Sequence, residues 1–171
     1  MIGRLNKIEF HLNAIHFCIY KAHYKSYKMY SKISPSNLIH ELPFQKRRYK
    51  KLGIDIHKEI DKAFGDKNFG MSMMVAGGVL IALFFFLFLS AINILLRLFV
   101  GHKIYLQYPH FAIALIISLA LTYFFVFKND CYLQYFDKFE KWNHGEKLKY
   151  RWLTFGFIIL VIIFFILMLE Y

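Results

Sequence analysis

The sequence predicts an all-α integral membrane protein with three transmembrane helices and an N-terminal cytoplasmic amphipathic helical region. Three observations carry the prediction. Residues 71–96 contain no charged side chain, and only Ser72, Ser90 and Asn93 are polar. As a helix this stretch would measure about 39 Å at ~1.5 Å per residue, enough to cross a ~30 Å hydrocarbon core with tilt. The composition is 58% hydrophobic and 20% aromatic, with twenty phenylalanines. That content exceeds what one small aqueous core holds, and the apolar residues are bunched into three runs. Finally, the net charge of +11 is unevenly distributed. Residues 1–70 hold fourteen Lys and Arg and residues 128–151 hold six, whereas only Arg97 and Lys103 fall between the first two apolar runs. Lys- and Arg-rich short loops stay in the cytoplasm. This places the N terminus and the 128–151 loop inside, and the 98–108 turn and the C terminus outside, in a multi-pass protein of a prokaryotic inner membrane. Residues 1–70 lack a continuous apolar core, so no cleavable signal peptide is expected.

Within the cytoplasmic basic region, 1–70, a helical pattern runs over residues 2–33. Leu5, Ile8, Leu12, Ile15 and Ile19 recur by threes and fours and form one apolar seam, suited to a sister protomer or a protein partner. Phe10, Phe17 and Tyr24 form a second stripe at intervals of seven. Two stripes call for two neighbours: another protomer and the membrane surface, or else the other cytoplasmic helices of the same chain. Ser34 and Pro35 stop this helix, and Pro43 breaks the chain again. The run that follows contains Lys46, Arg47, Arg48, Lys50 and Lys51 around Tyr49. Next to a bilayer such a cluster attracts anionic headgroups at ~1 kcal/mol per basic residue. A basic run with an aromatic also suits nucleic acid, but the nearby span favours lipid. Leu52, Ile56, Ile60, Ala63 and Phe64 continue as an amphipathic helix with Asp55–Lys58 and His57–Asp61 as surface pairs, and residues 65–70 lead into the membrane.

The first span covers 71–97. Gly78 and Ala82 have the small-xxx-small spacing that permits close helix approach. Arg97 is expected to snorkel to outer headgroups, and Tyr105, Tyr108 and His110 in the 98–108 turn and just after it to anchor the interface. The second span covers 109–127, with Ala114, Ser118 and Thr122 on one face as a narrow packing stripe. In the 128–151 loop, Asn129 or Asp130 is expected to cap an amphipathic segment. Tyr132, Tyr135, Phe136, Phe139 and Trp142 share one face of it, which suits the inner interface or the N-terminal helices, and His144-Gly145 is expected to end it. The third span covers 152–169, with Thr154 its only polar residue.

Little here points to chemistry. Of eight histidines, His16 and His23 are seven apart, too far along a helix to share one ion directly, and neither CxxC nor HExxH occurs. No metal or other cofactor is expected. Cys18 and Cys131 both fall on the cytoplasmic side, where a structural disulfide is unfavoured. Arg4 with His11, and Arg97 with His102, are spaced Arg-x4–6-His. That spacing resembles the one in HEPN-type ribonucleases, soluble helical bundles that cleave RNA through a dimer. The match covers two residues at a time, and Arg97 falls on the outer face, so no enzyme is expected. The spans contain no carboxylate that would serve proton coupling. What remains is a function by association: a membrane adaptor or accessory subunit that oligomerises or recruits a partner through its basic N-terminal helices. The alternative is an oligomeric pore or membrane-disrupting effector of a bacterial defence system, with Ala114, Ser118 and Thr122 around its axis.

Overall fold

A computed structural model describes residues 7–33, 39–101 and 107–170. Among these the chain is helical, with no strand, and three helices are long and apolar enough to span a membrane. The structure bears out an all-α membrane protein. Leu5, Ser34, Pro35, Tyr105 and the Arg4 and His102 of the ribonuclease-like spacings lie outside the described residues.

Helix α1, Lys7–Ile33, contains neither proline nor glycine to interrupt it. Helix α2, Pro43–Leu52, starts with proline in its first turn and ends at Gly53 (φ 65°), whose N–H reaches back to the Lys50 and Tyr49 carbonyls. Asp55 opens helix α3, Ile56–Gly65, by accepting from the Lys58 N–H at 3.3 Å. The Asp55–Lys58 ion pair read from spacing exists at 3.5 Å, so the same carboxylate also caps the helix. A turn then aims the chain at the first span. Asp66 Oδ1 accepts from the N–H groups of Asn68 and Phe69, and an added Cβ at Gly70 would collide with the Asp66 carbonyl.

Helix α4, Met71–Val100, carries the first span and runs three residues past the predicted end. Helix α5, Tyr108–Thr122, continues through a π-helical turn, Tyr123–Phe127, and together they make the second span. Asn129 (φ 55°) and Asp130 (φ 51°) are both left-handed, which breaks the helix sharply before α6, Cys131–Glu140. Neither caps α6 through its side chain in the way the sequence suggests; the pair acts through its backbone. Helix α7, His144–Glu170, carries the third span and starts eight residues before the predicted 152. His144-Gly145 therefore opens a helix and does not end one. The cause is a capping box: Asn143 Oδ1 accepts from the Glu146 N–H at 2.8 Å, and the Glu146 carboxylate accepts from the Asn143 N–H at 3.0 Å.

The chain forms two compact units, one from residues up to Cys18 and from Gly77 onward, the other Ile19–Ala76. In the first, the spans alternate in direction and pack around Leu89, Ala114 and Met168, with Phe85, Phe88, Ile92 and Phe165 against them. Ala114, Ser118 and Thr122 are fully buried there, and the two hydroxyls return hydrogen bonds to the carbonyls one turn earlier. Between lipid-embedded helices there is no hydrophobic drive, so small residues that admit close contact matter most. The spanning parts of α5 and α7 also present a broad exposed apolar surface, including Ile113, Ile116, Phe155, Ile162 and Ile163. So large an apolar surface is stable against acyl chains and not against water.

Candidate functional site

In the first unit, α1 lays Phe10, Asn13, His16 and Phe17 on α6 and on the end of the second span. The amphipathic face predicted for α6 is real: Tyr132, Tyr135, Phe136, Phe139 and, just beyond it, Trp142 are all buried. Phe10 stands edge-on to Phe139 at 5.3 Å and to Tyr150 at 5.8 Å, and Phe17 stands edge-on to Phe136 at 5.1 Å. Trp142 stacks on Phe139 at 4.1 Å and on Tyr150 at 4.4 Å. Burying Phe136 and Phe139 contributes on the order of 2–3 kcal/mol each, and the edge-on geometry adds to it. The stripe of Phe10 and Phe17 thus packs on α6 of its own chain.

A polar line runs beside this aromatic core. Asn13 is fully buried, and its Nδ2 donates to the Glu9 carbonyl at 2.8 Å and to the Phe125 carbonyl at 2.9 Å. Phe125 lies in the π-helical turn at the end of the second span, where backbone carbonyls run out of helical donors. Asn13 supplies one. His16, also fully buried, packs against the rings of Phe127, Tyr132 and Phe136. Four residues before Asn13, Glu9 Oε1 accepts from the Cys131 thiol at 2.8 Å. Glu9 and Cys131 open onto a pocket of about 380 Å³ whose other walls are Phe124, Lys128, Asn129 and Gln134. Lys128 Nζ sits over the Phe124 ring at 5.4 Å from its centroid. Further along α1, burial pushes the Cys18 thiol up, with Thr154 and Arg151 acting in the opposite sense.

The second unit carries the basic helix. Lys46, Arg47, Arg48, Lys50 and Lys51 are all exposed on α2, which buries no residue, and Leu42, Phe44, Leu52 and Ile54 are exposed on and around it. Tyr49 is held by a hydrogen bond of 2.8 Å with His40 Nδ1. The base of α1 is fixed to α3 by the Tyr20 hydroxyl, which donates to the Gly65 carbonyl at 2.6 Å, and by Tyr27 stacked on Phe64 at 3.8 Å. His23 Nδ1 meets the Ser72 hydroxyl at 3.0 Å.

The residues picked from spacing separate into used and unused. Leu12, Ile15 and Ile19 are buried within the chain, so this part of the seam is not open to a second protomer, whereas Ile8 is 56% exposed. Ala114, Ser118 and Thr122 are likewise buried within the chain, where they pack helix on helix. Gly78 and Ala82 point outward, and a Cβ on Gly78 would touch nothing within 4 Å. The glycine that admits a close neighbour is Gly77, where a Cβ would come 2.8 Å from the tip of Phe127. Glu9 and Asn13 escaped the sequence reading. Their signal was a polar pair one turn apart on a helix otherwise read for its apolar stripes. Among the described residues no three His, Cys, Asp or Glu side chains come together as a metal site.

No protein-family profile matches the chain, and neither do curated proteins or solved structures.

Proposed function

We propose that this chain is a membrane-anchored association module, an adaptor or accessory subunit whose basic helix α2 lies on anionic headgroups while three spans hold it in the bilayer. The observation that carries the proposal is the composition of the α2 surface: five exposed cations interleaved with exposed Leu42, Phe44, Leu52 and Ile54. Charge draws such a helix to an anionic leaflet, and the apolar side chains enter the headgroup boundary. The cation excess supports a topology with the 1–70 region and the 128–151 loop on the cytoplasmic side and the 98–108 turn outside, as expected of a bacterial inner-membrane protein. A homo-oligomer or a cytoplasmic protein partner would engage what the chain leaves uncovered on the last turns of α1, where Met29, Tyr30 and Ile33 are exposed.

Hydrogen exchange on the full chain in nanodiscs tests the lipid part. Amides of residues 43–52 are expected to exchange several-fold more slowly in discs containing phosphatidylglycerol than in pure phosphatidylcholine discs. The difference should vanish at ~1 M salt, where the Debye length is ~3 Å, and in a variant with all five cations changed to glutamine. Equal exchange in both lipids would overturn this reading.

A further inference from the structure

We propose that the pocket between Glu9 and Lys128 binds the headgroup of a phospholipid that carries both a primary ammonium and a phosphate. Two charges of opposite sign line it, Glu9 from α1 and Lys128 from the turn after the second span. Neither is engaged in an ion pair with another described residue, unlike Lys46 with Glu41 and Lys58 with Asp55. Glu9 accepts from the weak Cys131 thiol donor on Oε1 and lies beside the Tyr135 hydroxyl, and Lys128 rests over the Phe124 ring. Both retain capacity for a charged partner.

The pocket's position selects lipid over a soluble solute. Phe127 ends the second span and Lys128 follows it directly, so the pocket opens at the level where a headgroup sits. On the same helix Ile116, Tyr123 and Phe124 are exposed and apolar, and offer acyl chains a surface leading to it. Charge and hydrogen bonding then select the headgroup. The Lys128 ammonium meets the phosphodiester, and the Glu9 carboxylate, with the side-chain carbonyls of Asn129 and Gln134, accepts from the lipid's ammonium. A quaternary ammonium donates no hydrogen bond and is held by several aromatic faces, of which the described lining of this pocket has one, Phe124. A purely anionic headgroup would satisfy Lys128 and be repelled by Glu9.

Native mass spectrometry of the full chain, released from vesicles of equal parts phosphatidylethanolamine, phosphatidylcholine and phosphatidylglycerol, tests the assignment. Phosphatidylethanolamine is expected to be retained over the other two. Glu9→Gln should reduce that preference about tenfold, and Lys128→Gln, which removes the partner of the phosphodiester common to all three lipids, should reduce total lipid retention about tenfold, each the equivalent of one charge-assisted hydrogen bond. Lys128 is exposed, so its variant keeps the fold and reports even where loss of the Glu9–Cys131 bond disturbs packing. Soluble phosphoethanolamine should compete only at far higher concentration, because it lacks the chains. Equal retention of the three lipids, a preference unchanged in Glu9→Gln, total retention unchanged in Lys128→Gln, or competition by phosphoethanolamine at equal concentration would each overturn the proposal. The result is independent of α2, whose cations are untouched in both variants.

Discussion

Neighbouring glycines show how narrowly the packing is specified. Gly77 faces the tip of Phe127, whereas Gly78 faces open space. Gly77→Val therefore forces ring and helix apart and should cost about 1–3 kcal/mol. Gly78→Ala should leave stability unchanged, and thermal unfolding in detergent distinguishes the two. Spacing favoured Gly78, because the small-xxx-small rule records that a close approach is possible and not which partner arrives. Asn13 offers a second residue-scale test. Asn13→Leu leaves the Phe125 carbonyl in the π-helical turn without its donor, at about 1–3 kcal/mol. Faster amide exchange around residues 123–130 is the expected signature. Cys18 provides a pH dependence. Its raised value means that the folded chain holds the thiol proton more tightly than the unfolded chain does. The associated stability is complete below the ordinary thiol value of ~8.5 and is lost as pH rises from there through the folded value. At pH 8, alkylation of Cys18, followed by peptide mass spectrometry, should be several-fold slower in the native protein than in the unfolded one.

At the scale of elements, helix ends decided where the sequence reading held. The spans and the buried face of α6 were legible because each is written in many side chains of one kind. Boundaries depend on single hydrogen bonds and were read less well. The Asn143–Glu146 capping box moved the start of α7 back to His144, although the asparagine and the glutamate three residues apart were in view. The π-helical turn and the two left-handed residues after it had no sequence signal, since Asn129 and Asp130 suit a cap as well as a kink. Asp55 is an element whose test follows from its charge. The Lys58 N–H holds its carboxyl below the usual carboxylate range, which lies near ~3.9. The cap is complete above that ordinary value and is lost as pH falls through the lower folded one. Acidification to pH 2–3 should fray the first turn of α3, seen as movement of the Lys58 amide resonance. Asp55→Asn, which caps without a charge, should remove the pH response.

The whole molecule is organised by one contrast, between three helices whose outer faces tolerate only lipid and the basic segments that flank them. The chain's own aromatic core absorbs much of what spacing offered to partners: Leu12, Ile15 and Phe17 are buried in it, and Ala114, Ser118 and Thr122 are buried among the spans. Spacing identifies a sticky face but not its owner, because intrachain and interchain neighbours impose the same periodicity. What lies open is therefore the better guide to function: the α2 surface and the Glu9–Lys128 pocket. Cys18 and Cys131 are partly buried and serve poorly as reporters of sidedness, so the topology is best tested with new cysteines in a Cys18→Ser, Cys131→Ser background. Labelling of intact cells with a membrane-impermeant maleimide is the most direct measurement. Gln107→Cys should react at once, and Lys50→Cys and Lys141→Cys only after the membrane is opened. Reaction of Lys50→Cys or Lys141→Cys in sealed cells, or extraction of the protein from the membrane by alkaline carbonate, would contradict the account.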